Sequence, residues 1–426
     1  MRIFWLHVRN SPVRWTVPVL VALDLAILFL RTQYWVGVWP ETGAAAQVPA
    51  YLLGVLVAGA AAWAAAAPVR RGMQEQLSVA KVHPAGVDGY RLAATTAILT
   101  VPYLIGQMVA FAVTARTFPP GVLLWFAYAL LGLSVTFLSV SLGWLLGRFF
   151  GGGFGAMTAA LGWLFVLALT NFLTGDFVVV TGRPYLAVDA FTLAVRFGCL
   201  VLMAVALLWL PESGRRSRWP GQGLVSVASA AALMMLAVVT PPVTNRPVPE
   251  GEGRICISGR TTLCIWQEQE KYRPLMATLS GRIDGLPTAF TPPPEVREFG
   301  LDARHGLDER LGVSPPHFYI LEGSPWSYGG MISTEIMSST FAWRDPACDW
   351  GRMSDADQLR SDAVLAWLEA YLVGDVTPDY STDAPSAMQQ AWASGRRVAA
   401  ERPLPEQFDW AAGEVISIRG EYCAKR

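Results

Sequence analysis

Charged side chains inside long apolar runs carry the strongest chemical signal in this chain, because hydrocarbon penalises an ionised group and keeps one only where it has a use. Five such positions stand out: Asp24, Arg31, Asp176, Asp189 and Arg196. Counting along their runs puts Arg31, Asp176 and Asp189 near an interface, where water hydrates them. Asp24 and Arg196 lie deeper. Together they suit a structural ion pair between the first and sixth apolar runs, a proton site or a contact for polar cargo. Their depths differ by about 9 Å at a 1.5 Å rise per residue, so direct contact needs the helices to shift. Cysteines form the second group. Cys199 falls in an apolar run, whereas Cys256, Cys264, Cys348 and Cys423 are all C-terminal, an even set of the kind that forms disulfides outside the cytoplasm. The segment Arg254–Trp266, RICISGRTTLCIW, reads as a hairpin turning at Gly259 and Arg260. A three-residue turn there sets Cys256 opposite Cys264 and leaves Cys348 for Cys423. Buried free thiols are the alternative.

Motifs for catalysis are missing. No Gly-x-x-x-x-Gly-Lys-[Ser/Thr] occurs, and the run Gly151, Gly152, Gly153 and Gly155 lacks both the lysine and a preceding strand that a phosphate cradle needs. Gly143, Gly147, Gly151 and Gly155 recur every fourth residue, which suits close helix packing in a membrane. The C-terminal part has His305 and His317 but no His-Glu-x-x-His, so no metal site is expected. Gly323-Ser324-Pro325-Trp326-Ser327 fails the nucleophile-elbow pattern at its last position. Glu268, Glu270, Glu335 and Asp355 declare no acid–base pair. Trp326, Trp343, Trp350, Trp367, Trp392 and Trp410 fit a packed core better than an apolar binding face. No catalytic residue is assigned.

The elements that must position these residues follow from composition. Hydrophobic residues make up 53% of the chain and charged residues 15%, with 33 basic against 33 acidic side chains. That balance implies a bilayer and excludes the positive field of a nucleic-acid binder. Charge is scarce before about Pro242 and common after it. A span needs roughly 20 apolar residues, and about seven such runs occur, near 16–38, 48–67, 92–115, 121–147, 155–178, 190–210 and 223–241. The first, from Thr16 to Trp39, has no small-residue cleavage site and reads as a retained span.

Basic residues orient the runs, since cytoplasmic loops keep Lys and Arg. Arg2, Arg9, Arg14, Arg70, Arg71, Lys81, Arg91, Arg148, Arg215, Arg216 and Arg218 fall on one side; Arg116 and Arg183 fall on the other. The amino terminus is therefore expected in the cytoplasm and the tail outside. The fold class expected is an α-helical polytopic membrane domain (1–241), a stiff Pro-rich linker (242–253) and an α+β extracytoplasmic domain with disulfides (254–426). Within the last, helices are expected at Gln267–Ile283, Met331–Phe341, Ala356–Leu372 and Ser386–Glu401, and a strand at His317–Leu321.

One loop is too polar to insert and longer than a turn: Arg70–Arg91, RRGMQEQLSVAKVHPAGVDGYR. Residues Arg71 to Lys81 can form a short helix with Met73, Leu77 and Ala80 on one face, suited to docking on a partner or to lying on lipid. Gly72, Glu75, Leu77, Pro84 and Arg91 stand there in the order of a coupling helix. Through these residues the chain resembles the permease subunits of ATP-binding-cassette exporters of the drug, lipid and polysaccharide type. The amino-terminal segment Met1–Trp15, with Ile3, Phe4, Trp5, Leu6 and Val8, is similar to the interfacial helix of that family. The resemblance covers roughly residues 1–211. The Glu-Gly-Thr start of the family's coupling helix is absent, and the seventh run and the tail depart from its usual six spans.

The resemblance implies a transport subunit, not an enzyme, in a bacterial plasma membrane. It implies export of a small amphipathic or peptide-like molecule, a second permease subunit (identical or not), and a cytoplasmic ATPase subunit that holds ATP and Mg. No cofactor is then expected in this chain. A membrane receptor or regulator that senses an extracellular ligand through the tail is the alternative.

Overall fold

A computed structural model of the chain describes residues 2–30, 35–70, 84–150, 152–173, 179–208, 220–239, 243–247, 253–301, 317–321, 325–343, 347–376 and 386–423. Contacts divide it into two compact units, Met1–Asn245 and Arg246–Arg426.

The first unit is helical. A short amphipathic helix, α1 (Arg2–Asn10), leads through a 3-10 turn (Pro12–Thr16) into α2 (Val17–Phe29). The Ser11 hydroxyl caps that turn by accepting from the Val13 N–H, with Pro12 at the next position. Then follow α3 (Trp39–Ala65), α4 (Pro84–Thr114), α5 (Val122–Phe150), α6 (Gly152–Leu173), α7 (Ala190–Leu208) and α8 (Pro220–Val239). Six stretches are long and apolar enough to cross a bilayer: Pro12–Phe29, Trp39–Ala65, Gly86–Thr114, Val122–Phe150, Gly152–Thr170 and Ala190–Leu208. The protein is a multi-pass membrane protein. The seventh expected run is helix α8, whose 20 residues reach about 30 Å and whose described apolar part is Val227–Leu236.

Bare backbone lets these helices meet closely. On α5, a Cβ added at Gly143 would lie 2.2 Å from the Ala58 carbonyl oxygen, and one at Gly147 2.3 Å from that of Ala62. Both carbonyls belong to α3, so the glycine spacing does serve packing.

Contacts at the helix ends fix how the chain threads. At one end Trp39 Nε1 donates to the Pro119 carbonyl (2.6 Å), the Gly182 N–H donates to Glu41 (3.1 Å), and Thr42 and Thr114 share a 2.8 Å hydroxyl bond. The connections after α2, α4 and α6 therefore gather together. At the other end Arg148 Nη1 meets Asp88 at 2.7 Å, Arg91 reaches the Ala64 carbonyl at 3.0 Å, and α1 packs along α4. A further pairing extends this pattern past the sixth span. Strand β1 (Leu186–Val188), before α7, pairs antiparallel with β2 (Val243–Asn245), after α8. Helices α7 and α8 pack together and so form a hairpin that starts and finishes at one end of the bundle. The segment expected as linker thus begins with a strand of the first unit.

The second unit is α+β. A four-stranded mixed sheet has the order β3 (Arg254–Ile257), β4 (Thr262–Trp266), β5 (Glu295–Glu298), β6 (His317–Phe318), antiparallel for the first pair and parallel for the others. Around it lie α9 (Arg273–Asp284), α10 (Pro325–Phe341), α11 (Asp355–Val373), α12 (Ser386–Glu401) and α13 (Leu404–Tyr422). The single helix expected at Gln267–Ile283 is two pieces, a 3-10 stretch (Gln267–Tyr272) and then α9, with Pro274 in the first turn of α9. Trp367 is wholly buried in the core beside Leu263, Ile265, Phe290 and Phe318, while Trp343, Trp350 and Trp410 pack at its margin. These four tryptophans therefore serve packing, while the side chain of Trp326 lies outside the described residues.

Both disulfides form as expected. Cys256 and Cys264 are direct partners across β3 and β4, and Cys348 is bonded to Cys423 at the end of α13. Their sequence separations, 8 and 75, predict unequal contributions. Loop closure makes the short bridge worth about 2.5 kcal/mol and the long one about 4.5 kcal/mol. Thermal unfolding of the purified chain should therefore shift further downward for the Cys348→Ser, Cys423→Ser pair than for Cys256→Ser, Cys264→Ser.

Candidate functional site

Asp24 of α2 is 2% exposed and lies against bare backbone of α4, where a Cβ added at Gly106 would fall 1.8 Å from its Oδ2. That oxygen has no hydrogen-bond partner among the described residues. Next along α4, Gln107 is 3% exposed; its Nε2 donates to the Tyr103 hydroxyl at 2.8 Å, which in turn donates to the Ala129 carbonyl of α5 at 2.6 Å. A second glycine makes room for this chain of bonds. A Cβ at Gly132 of α5 would stand 2.3 Å from the Tyr103 hydroxyl and 2.8 Å from the Gln47 Cβ of α3. Gln47 is also buried and donates its Nε2 to the Val179 carbonyl. Four helices thus contribute to one polar cluster.

Among the described residues it leaves three acceptors unmet, Asp24 Oδ2, Gln47 Oε1 and Gln107 Oε1, and one donor, Trp125 Nε1, at its aromatic edge. An unsatisfied buried acceptor costs about 1–3 kcal/mol, and a charged one costs more. What relieves that cost is a donor or a positive charge: a proton, a cation or the polar end of a cargo molecule. One helical turn further along α4, Phe111 meets Trp39 at 5.0 Å and Trp125 at 4.7 Å between ring centroids, which closes the cluster off with aromatic faces. Pro102, inside α4, removes one backbone bond of the helix beside the cluster.

The residues expected from sequence separate into groups. Arg196 is 2% exposed on α7, but no ion pair joins it to Asp24 among the described residues. The Asp24–Arg196 couple is therefore not made; the offset in depth foreseen from sequence keeps the two apart, and Asp24 turns to α4. Asp189 accepts from the Thr192 N–H at 2.7 Å and caps α7, consistent with a hydrated end position. Gly72, Glu75 and Leu77, and with them the Arg71–Lys81 helix, lie outside the described residues, as do Arg31 and Asp176. Pro84 opens α4. Arg91 lies within α4 as a clamp: it pairs with Asp88 at 2.9 Å, reaches the carbonyls of Ala64 and Ala65 at the end of α3, and rests over the Trp144 ring. Asp88 in turn holds Arg148 of α5. Gln47, Tyr103 and Gln107 were missed because uncharged polar side chains scarcely dent the apolarity of a run. Their neighbours Gly106 and Gly132 were the available signal.

In the second unit, the sulfurs of Cys256 and Cys264 lie beside Glu295 but are joined to each other, and so lack the thiolate charge that metal binding uses. Three other carboxylates are buried: Asp357, held by Ser354, Arg360 and Tyr422, and two beneath the sheet. Glu268 pairs with Arg246 at 2.8 Å, and Glu298 accepts from the Trp266 N–H at 3.1 Å. Burial raises Glu298 from 4.5 to about 8, with a small contribution from the charge of Glu268 and against its bonds to Trp266 and Gln269. This pair is a structural network under the sheet.

Comparison with family models, with curated proteins and with solved structures returns no match. Fold and site define a multi-pass helical membrane protein that carries a disulfide-bonded α+β domain and a buried polar cluster between its first four long helices.

Two outcomes follow. Gly106→Ala should destabilise the membrane unit by about 1–3 kcal/mol through collision with the Asp24 carboxylate, and adding Asp24→Ala should recover much of that loss in a double-mutant cycle of denaturant unfolding. Glu298 binds its proton more tightly when folded, so between pH 4.5 and about 8 the folded domain holds more protons than the unfolded chain and stability falls as pH rises. Melting temperature measured across that range should decline in the wild type and flatten in Glu298→Gln.

Proposed function

We propose that this chain is the permease subunit of an ATP-binding-cassette exporter, with a second permease subunit beside it and a separate cytoplasmic ATPase as its engine. The observation that carries the reading is the cluster at Asp24. A carboxylate with an unpaired oxygen, set among the unpaired oxygens of Gln47 and Gln107 inside a helix bundle, has no structural return to offset its cost. A passage for a polar or charged group gives it one. Pro102 and the glycine contacts at Gly106 and Gly132 allow α4 to bend against α2 and α5 when such a group passes.

Orientation fits the same reading. The end of the bundle that holds Arg91 and Arg148, together with Arg9 and Arg14, carries most of the basic residues and faces the cytoplasm in this proposal. The β1–β2 pairing supports a seventh crossing by α8, since it returns the chain to the end opposite those arginines before the second unit begins. Two disulfides suit the extracytoplasmic placement that results. ATP and Mg belong to the partner ATPase, and the cargo is amphipathic with a donor-bearing or cationic head.

The chain, isolated from its native membrane in mild detergent, should bring with it a subunit that has a phosphate-loop motif and hydrolyses ATP. Purification with no such subunit at any stoichiometry would favour a receptor. Asp24→Asn should retain the ATPase partner yet lower transport-linked ATP turnover of the reconstituted complex about tenfold, the usual effect of losing one charge-assisted contact.

A further inference from the structure

At the arginine-rich end of the membrane unit, a cavity of about 130 Å³ opens between α1, the end of α3 and the start of α4. It is several times the ~30 Å³ share of one water molecule and has room for a phosphoryl group. Its polar lining is His7, Asn10, Ser11, Arg91 and Thr95, over an apolar floor that includes Ala64 and Val87. Among the described residues no carboxylate lines it. Asp88, one residue after the lining Val87, is bonded to Arg91 and Arg148, and the Ala64 and Ala65 carbonyls are met by Arg91. The cluster of one aspartate and two arginines keeps a net positive charge behind the cavity wall.

The surroundings set its depth. Trp5, Leu6 and Trp15 stand 64%, 61% and 72% exposed on the outside of α1 and the turn after it, and Arg14 lies over the Trp15 ring. Amphipathic aromatics with adjacent arginines mark the level of lipid headgroups. A small cationic cavity at that level has one natural class of occupant.

We infer that this cavity seats the phosphate of an anionic phospholipid headgroup, held by His7, Asn10 and Arg91. The inference stands apart from the transport reading, since it uses none of the Asp24 cluster. It also makes binding depend on pH. Burial, then the charge of Arg91, holds His7 below its ordinary value, while Asp88 opposes them. The other charged groups at this end are Arg9 and Arg14 on the same segment, Arg70 two residues beyond the lining Pro68, and Arg148, which is held by Asp88. An arriving phosphate favours the imidazolium, so binding takes up a proton and tightens as pH falls toward the lowered range in which His7 titrates.

The test uses the full chain, delipidated in detergent, with melting temperature read during titration by dispersed phosphatidylglycerol, phosphatidylcholine or inorganic phosphate. Phosphatidylglycerol should stabilise at about tenfold lower concentration than phosphatidylcholine, with inorganic phosphate weak. His7→Ala should weaken phosphatidylglycerol about tenfold and abolish its pH dependence. If that variant folds poorly, Asn10→Asp, at an exposed position, should erase the preference for phosphatidylglycerol by placing a negative charge at the mouth. Equal stabilisation by both lipids, inorganic phosphate acting as well as phosphatidylglycerol, or an Asn10→Asp chain that keeps the preference would each overturn the assignment.

Discussion

Hydrocarbon supplies no hydrogen-bond partner, so every polar atom in the first unit is met by protein or left with its cost. Most are met by the turn below. Thr96, Thr100, Thr136, Ser134 and Ser139 each return a hydroxyl bond to a carbonyl three or four residues earlier, which hides them within their own helices. Larger groups cannot fold back in that way and must look across to another helix. Trp163 reaches the Tyr51 carbonyl of α3 at 3.0 Å, and Tyr103 reaches Ala129 on α5. These bonds between helices, together with the glycine contacts of α5 on α3, decide which helices are neighbours, and the residues left over define the site.

The same constraint explains what could be read from the amino-acid sequence. Apolar runs are long and continuous, so the helices of the first unit fall where hydropathy and length put them, with α3 and α4 extended at one end because Pro40–Gln47 and Pro84–Tyr90 are helical as well. The cysteine register in RICISGRTTLCIW also sufficed, because side chains two apart on a strand share a face and only one turn length sets the two thiols opposite. Strand β5 was not legible. Its Glu-Val-Arg-Glu offers a single apolar residue, yet Val296 and Glu298 both point into the core, and no pattern announces a buried glutamate. Helix α13 was hidden for a similar reason: its core contacts are few, with Ala411, Val415 and Ile418 buried on an otherwise polar surface.

At the site, charge was visible and context was not. Asp24 announces itself in an apolar run, but its neighbour is Gly106, a residue with no side chain to pair, and no spacing rule connects positions 24 and 106. Arg91 was expected to belong to a loop that docks a partner. It lies instead about two turns into α4, where Asp88, three residues before it, and Trp144 hold it. The pairing at i and i+3 was present in the sequence; the third member, Arg148, required the fold.

The two short strands that bind Leu186–Val188 to Val243–Asn245 also bear on how the protein is made. The first strand is synthesised well before the second, so its edge stays open until α7 and α8 have packed as a hairpin and brought Val243–Asn245 back beside it. Closing this small sheet therefore requires both ends of that hairpin to reach the same end of the bundle, and a chain in which they did not would leave an unpaired strand edge at each.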